Sequence, residues 1–287
     1  MTNPTYADLH VHTHLSPCGK PDATADALIC RAREKGLSAI GFADHFTPRP
    51  VPGCTFYDRQ RIGILADLRA EIAQTAVPGD IEVLVGVEAD YTLAGKACLD
   101  REALRQADHV VCAASHFHLP AAPAPDDDSP RAKVDLLLRM AGEALCVPGV
   151  SIWAHPFDCS RMRPLVPIMQ TADEDALAGL IALANERHIA IEVNGGPALY
   201  EDYQQATAPF FSLALEMGAR FTITADAHHP DDFERLDLAL AWARELGVRD
   251  RDLFTAQEIR AQQSKRLAAD LTGLLGPVRS QKQRRHI

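Results

Sequence analysis

The chain has no cysteine pair at C-x-x-C spacing, and its seven cysteines are an odd number scattered along 287 residues. That pattern sets aside a disulfide framework and predicts a reduced, cytoplasmic setting. No run of about 18 apolar residues occurs, so no membrane-spanning helix is expected. The opening MTNPTYADLH has no basic stretch followed by an apolar one, and no secretion signal is expected from it. Basic charge is also short: 29 Lys and Arg face 39 Asp and Glu, a formal net charge of −10 with a pI near 5.6. A general duplex-binding surface needs a basic footprint, so long nucleic acid is not an expected partner. There is no internal repeat and no low-complexity tract.

What is present is an ordered series of short apolar runs, most ending in an imidazole or a carboxylate. ADLHVHTH supplies His10 and His12, FADH supplies His45, GVEAD supplies Glu88, and ASHFH supplies His116. WAHP follows with His155, and TADAH ends the series with Asp226 and His228. Residues two apart in a strand point the same way, so H-x-H delivers two imidazoles to one point. Imidazole and carboxylate are the usual ligands of zinc, manganese and iron. A carboxylate ending an apolar strand is costly to bury without a cation, which singles out Glu88 and Asp226.

Hydrophobic residues make up 47% of the chain, enough for a substantial core. Strands are predicted over 6–11, 38–43, 81–87, 109–114, 150–154, 189–193 and 220–225. Helices are predicted over 22–35, 58–75, 99–107, 131–145, 173–187, 205–217 and 231–246. This β-then-α alternation implies parallel strands joined by crossover helices. Six of the seven strands end in a metal-type ligand, and the sixth ends at Asn194. An open sheet would spread those ends along a line, whereas a closed ring gathers them at the carboxyl end, where parallel barrels keep their active sites. The expected fold is therefore α/β, a distorted (β/α)7 barrel. It is read as one domain over 1–287, with a short basic tail from about 278. Residues 119–130, rich in Pro, Ala and Asp, are expected to form a mobile loop beside the site, in the position of a lid.

The motifs DLHVHTHLSPCG, FADH, GVEADY, SHFH, AHP and TADAHHP, in this order over roughly residues 6 to 245, resemble the polymerase-and-histidinol-phosphatase (PHP) superfamily. GVEADY and TADAHHPDDF look closest to its histidinol-phosphate phosphatase branch. The resemblance implies a (β/α)7 barrel that binds two or three divalent metals and hydrolyses phosphoesters. It also implies a first metal on His10, His12, Glu88 and Asp226, and a second sharing Glu88 and adding His116 and His155. A third would use His45 and His228. Where relatives place a His or Asp for that metal, this chain reads Ser16, Pro17, Cys18; Cys18 is a soft substitute that would favour zinc. Asp44 is placed to orient a ligand from behind.

Charge supports the same chemistry without the family. Neutral imidazoles with Glu88 and Asp226 supply about −2 against +4 to +6 from two or three divalent ions, zinc, manganese or iron. Such a site wants a phosphate monoester and a hydroxide. The expected reaction is attack by a metal-bridging hydroxide on phosphorus, with Glu88, Asp226 and His228 at the reacting centre. The substrate is expected to be small and phosphorylated, like histidinol phosphate, with Arg161 and Arg163 as candidates to grip its phosphate. A nucleotide phosphatase or nuclease acting on short oligonucleotides is the alternative within hydrolases, and a metal-binding regulatory module without turnover is another. A zinc amidohydrolase on an eight-stranded barrel would want a lysine at a strand end, and none is there. His14 reads as structural, His118 as a borderline site residue and His229 as substrate-facing. His109, His188 and His286 read as surface or helix-end residues, and Asp126, Asp127 and Asp128 as a solvated run.

Overall fold

A computed structural model describes residues 6–59, 63–94, 98–159 and 161–271. Its centre is a seven-stranded, all-parallel sheet in sequence order. The strands are β1 (Ala7–Val11), β2 (Ala39–Phe46), β3 (Glu82–Asp90), β4 (Val110–Ala113), β5 (Ile152–Ala154), β6 (Ala190–Asn194) and β7 (Phe221–Thr224). The helices are α1 (Ala25–Glu34), α2 (Ile64–Gln74), α3 (Tyr91–Ala94), α4 (Arg101–Gln106) and α5 (Pro130–Leu145). They continue as α6 (Leu165–Met169), α7 (Glu174–Glu186), α8 (Glu201–Glu216), α9 (Glu234–Glu245) and α10 (Ala256–Leu271). The expected distorted (β/α)7 barrel is what forms.

Local chemistry sets the helix starts. Thr24, Asp100 and Ser129 each accept a hydrogen bond from a first-turn N–H of α1, α4 and α5, and Pro130 opens α5, where a missing N–H costs nothing. Gly36 ends α1 with φ +74°, a conformation that side chains rarely adopt.

The sheet closes between β1 and β7 without a full ladder. Val11 and Ala227 form a single parallel bridge, and the His12 N–H donates to the Ala227 carbonyl at 2.8 Å. At the same seam the Asp8 carboxylate accepts from the N–H groups of Ala225 and His10. This fully buried side chain thus stands in for ladder bonds, and burial, outweighing those two donors, pushes its pKa up to about 7.

Alternate residues fill the barrel in layers. On β2 the inward set is Gly41, Ala43, His45; on β3 it is Leu84, Gly86, Glu88; on β6 it is Ala190, Glu192, Asn194. Leu9, Ala43, Leu84, Val111, Ile152 and Ala190 pack into one inner cluster, closed at the amino-terminal end by Phe254 and Ile259. That plug comes with α10, a helix absent from the expected set. Its residues are polar apart from a few contacts, so no apolar stripe announces it. Phe254 enters because its N–H pairs with the Phe221 carbonyl at 2.7 Å.

His109 also departs from expectation. It is completely buried inside the barrel, and its Nε2–H donates to the Leu9 carbonyl at 2.9 Å. The ring needs space that Gly41 and Gly86 provide: a Cβ at Gly86 would lie 2.5 Å from the His109 carbonyl oxygen and 2.6 Å from its ring. His188 does sit at a helix end, while His286 and the basic tail lie outside the described residues.

Candidate metal centre

β2 and β3 run further than their apolar cores imply, to Phe46 and Asp90, because an eight-pair ladder joins them. That register sets His45 directly opposite Glu88, with His45 Nδ1 2.8 Å from Glu88 Oε2. On β1 the pairing slips between Asp8 and Val11. The slip lets Leu9 join the inner cluster while His10 and His12 turn toward the carboxylates, a usual use of a strand irregularity beside a site. His155 and Asp226 have φ of 25° and 52°, so both leave their strand ends in the left-handed region.

The donors converge on two carboxylates. Glu88 Oε2 lies 3.5 Å from the Nε2 atoms of His10 and His12, and Glu88 Oε1 lies 3.4 Å and 3.2 Å from those of His116 and His155. Asp226 Oδ1 is 3.2 Å from His12 Nε2 and 3.7 Å from both His10 Nε2 and His228 Nδ1. Glu88 is thus the hub, shared by five rings, and Asp226 is shared by three. All eight residues expected as ligands are in this cluster.

A layer behind them fixes the rings. His10 Nδ1 donates to Glu192 Oε1 at 2.7 Å, His116 Nδ1 meets Asp90 Oδ2 at 2.9 Å, and His155 Nδ1 meets Ser115 Oγ at 2.8 Å. Each contact occupies Nδ1 and leaves Nε2 facing the centre, the arrangement metal-binding imidazoles require. Glu192 does most: it also accepts from the His155 N–H, the Thr224 hydroxyl and the Asn194 amide. Sequence reading passed over it by scoring only strand ends. A carboxylate two residues before Asn194, on the same face of an apolar strand, was the available signal. Asp44 does not orient a ring; it accepts from the N–H and hydroxyl of Thr13, at 2.6 and 2.7 Å, and so fixes the turn after H-x-H.

Burial alone would neutralise these groups, but they counter one another. Burial raises the Glu88 carboxyl, yet the facing imidazoles of His45, His10 and His116 hold it well below the ordinary range. Burial likewise raises Asp226, and His10 and His12 reverse it. The rings shift the other way: despite burial, Glu192, Asp226 and Glu88 hold His10 well above its ordinary value, and His155 is brought up to about 9 chiefly by Glu88. Divalent cations bound here would displace protons from the imidazoles and take their place opposite the carboxylates.

The residues fit such cations. Two triads, His10–His12–Glu88 and His45–Glu88–His116, place their donor atoms within 4.8 Å of one another. Asp226 Oδ1 is buried with no directed hydrogen bond, although three ring nitrogens surround it. A buried carboxylate oxygen without a donor calls for a cation. The cluster opens into a cavity of about 210 Å³ lined also by Phe56, His118, Leu119 and Asp158.

Comparison with known proteins agrees with this geometry. A family model described as the PHP domain matches residues 8–196. The chain belongs to the PHP domain family. It is 24% identical over 255 residues to a probable phosphatase of Aliivibrio fischeri, spanning 87% of this chain and 89% of that protein. Its fold is similar to a histidinol phosphate phosphatase of Lactococcus lactis, whose structure is a complex with zinc, L-histidinol and phosphate. There the TM-score is 0.58 at 14% identity, covering 85% of this chain and 95% of that one. A putative histidinol phosphatase of Listeria monocytogenes gives a TM-score of 0.61 at 15% identity, covering 80% and 97%.

Around this PHP centre the remaining candidates separate. His118 lines the cavity, its ring set edge-on to His116 at 5.5 Å between centroids. His14 turns away, 3.6 Å from Glu71, and His229 bonds Asp22 at 2.7 Å beside an adjoining groove. Neither Arg161 nor Arg163 is among the residues lining the cavity. Arg163 instead bridges Asp158 and Asp202 and lies over the Tyr200 ring, so its charge is already matched. Asp126, Asp127 and Asp128 are exposed, as a solvated run should be. Only the start of the 119–130 loop reaches the site, through buried Leu119. No helix among the described residues is long and apolar enough to cross a membrane.

Proposed function

We propose that this PHP domain hydrolyses a small phosphate monoester, histidinol phosphate or a close analogue, at a divalent-metal centre built on Glu88. The chain is a metal-dependent phosphatase: family membership, the probable phosphatases among its relatives and the donor set agree on that class. The observation that carries the proposal is Glu88 itself. Each of its two oxygens faces a different group of imidazoles, His10, His12 and His45 on one side and His116 and His155 on the other. A carboxylate so placed would serve as a bridge between two cations.

When bound, a pair of divalent ions supplies a water acidified toward neutral pH and a clamp on the phosphoryl oxygens. The chain supplies position. His10, His12 and Asp226 would hold a cation on one side of Glu88, and His116 and His155 would hold one on the other. Glu192, Asp90 and Ser115 lock the rings so that ligand nitrogens need not reorganise during reaction. Walls of Phe56 and Leu119 exclude water from part of the cavity, and its volume of about 210 Å³ suits phosphate with a small alcohol. Histidinol phosphate is the first compound to test, because the L. lactis neighbour holds the corresponding alcohol and phosphate.

The test is phosphate release by zinc- or manganese-loaded protein from a monoester panel, beside digestion of labelled RNA and DNA. Turnover of small monoesters, abolished by Glu88→Gln, is expected. Loaded protein that releases phosphate from no monoester would overturn the proposal, and cleavage of oligonucleotides alone would move the activity to nucleases.

A further inference from the structure

Beside the carboxylate hub lies a second group of donors of different chemistry. The ligand atoms of His12, Cys18, His45 and His228 all lie within 4.8 Å of one another. None of the other six cysteines joins such a group among the described residues. The thiol is held there by a chain of contacts. Asp44 pins Thr13, the Ser16 N–H returns to the Thr13 carbonyl at 3.0 Å, and the Gly19 N–H returns to the Ser16 carbonyl at 3.1 Å. This turn is so tight that a Cβ at residue 19 would fall 1.9 Å from the Thr13 oxygen, so only glycine fits after Cys18. The Lys20 N–H then bonds the His228 carbonyl at 3.3 Å, tying the turn to the loop that carries His228. A backbone so constrained delivers Sγ to one place. Ser16 Oγ lies 3.2 Å from it and 3.5 Å from His12 Nδ1.

We propose that Cys18 is a metal ligand, forming with His45 and His228 a thiolate–imidazole site that selects zinc over manganese or magnesium. His12 and His45, which also belong to the groups around Glu88, mark the boundary between the two sites. The chemistry differs across it. Glu88 and Asp226 give the hub hard oxygen donors that accept manganese, zinc or iron, whereas a thiolate discriminates strongly for soft or borderline cations. If His12 stayed with the hub, the three remaining donors would match the pattern of reactive rather than purely structural zinc. Cys18 and His228 line both the metal cavity and the adjoining groove of about 550 Å³, so this donor group lies at the junction of the two. This inference rests on the reading of the hub as a divalent-metal centre, and it adds a third, softer metal beside the hub's pair.

Cobalt(II) titration of the full-length, metal-free protein tests it, because cobalt–thiolate bonds absorb in the near ultraviolet and cobalt–carboxylate bonds do not. A sulfur-to-cobalt charge-transfer band is expected in the wild type. It should vanish in Cys18→Ser and Cys18→Asp while the visible bands of the hub persist and circular dichroism shows the fold retained. Competition between zinc and manganese should show the retained zinc weakened at least tenfold in both variants. Cobalt bound without a thiolate band would overturn the assignment of Cys18 and leave the phosphatase reading intact. A thiolate band in a protein that hydrolyses no monoester would sink the phosphatase reading and keep the Cys18 site. Failure to bind any cobalt would overturn both.

Discussion

The two ends of the barrel bury the same side chain in opposite states. At the carboxyl end, His10, His12, His45 and His155 are all held above their ordinary pKa despite burial, His12 chiefly by the Cys18 thiol and the others by facing carboxylates. At the amino-terminal end, His109 is just as buried, but there burial outweighs its hydrogen bond to Leu9 and the nearby Asp108, and its pKa falls to about 4. One end is a polar cluster awaiting cations; the other is a neutral ring wedged between glycines beneath a plug of Phe254 and Ile259. The lesson is that burial does not fix the charge of an imidazole. The neighbours do, and here they divide one barrel into a reactive end and a structural end.

The widest separation of the two ends should come from Glu88→Gln. Losing the bridge should lower turnover by at least about a thousandfold, about 4 kcal/mol of barrier, while circular dichroism shows the fold retained. Activity kept within tenfold would break the comparison, because the hub would then not be the reactive centre. Gly86→Ala, two residues before Glu88 on the same strand, probes the packing around His109. Its new methyl group meets a backbone oxygen and a ring that cannot both yield, so a loss of about 3 kcal/mol in urea denaturation is expected. Activity per folded molecule should change little. A stable variant would mean that His109 is not close-packed.

Acid should also tell the ends apart in metal-free protein. His109 is neutral in both folded and unfolded chains above pH 6.5, so its stabilising share is fully present there. Between 6.5 and about 4 only the unfolded ring takes a proton, and on the order of 3 kcal/mol is lost. His12 and His155 have the opposite sign: their contribution is complete below pH 6.5 and is lost as pH rises through about 9. Wild type should therefore lose stability relative to His109→Gln as pH falls from 7 to 4; parallel curves would refute the neutral assignment. The smallest effect belongs to Glu192→Gln, expected to weaken metal binding or turnover about 10–100-fold. An amide cannot accept from His10, His155 and Thr224 at both of its ends, so the rings should lose alignment while the fold remains. Unchanged metal affinity would show that the rings are held by packing alone.

Sequence by itself determined the reactive end. Ligands at the ends of apolar runs are local patterns, because strand periodicity and the rule placing sites at carboxyl ends need no knowledge of distant contacts. Hence His10, His12, His45, Glu88, His116, His155, Asp226 and His228 were legible before any coordinates, as was the seven-fold alternation. The structural end was not. α10 carries almost no apolar stripe, His109 looks like any histidine at a strand start, and Glu192 sits inside a strand rather than at its end. Arg163 looked free to take phosphate until Asp158 and Asp202 were seen to hold it. Each of these roles depends on what a side chain meets from residues far away in the chain. Only the closed tertiary structure decided them, because burial, charge pairing and space for a ring are properties of neighbours, and sequence lists neighbours along one dimension.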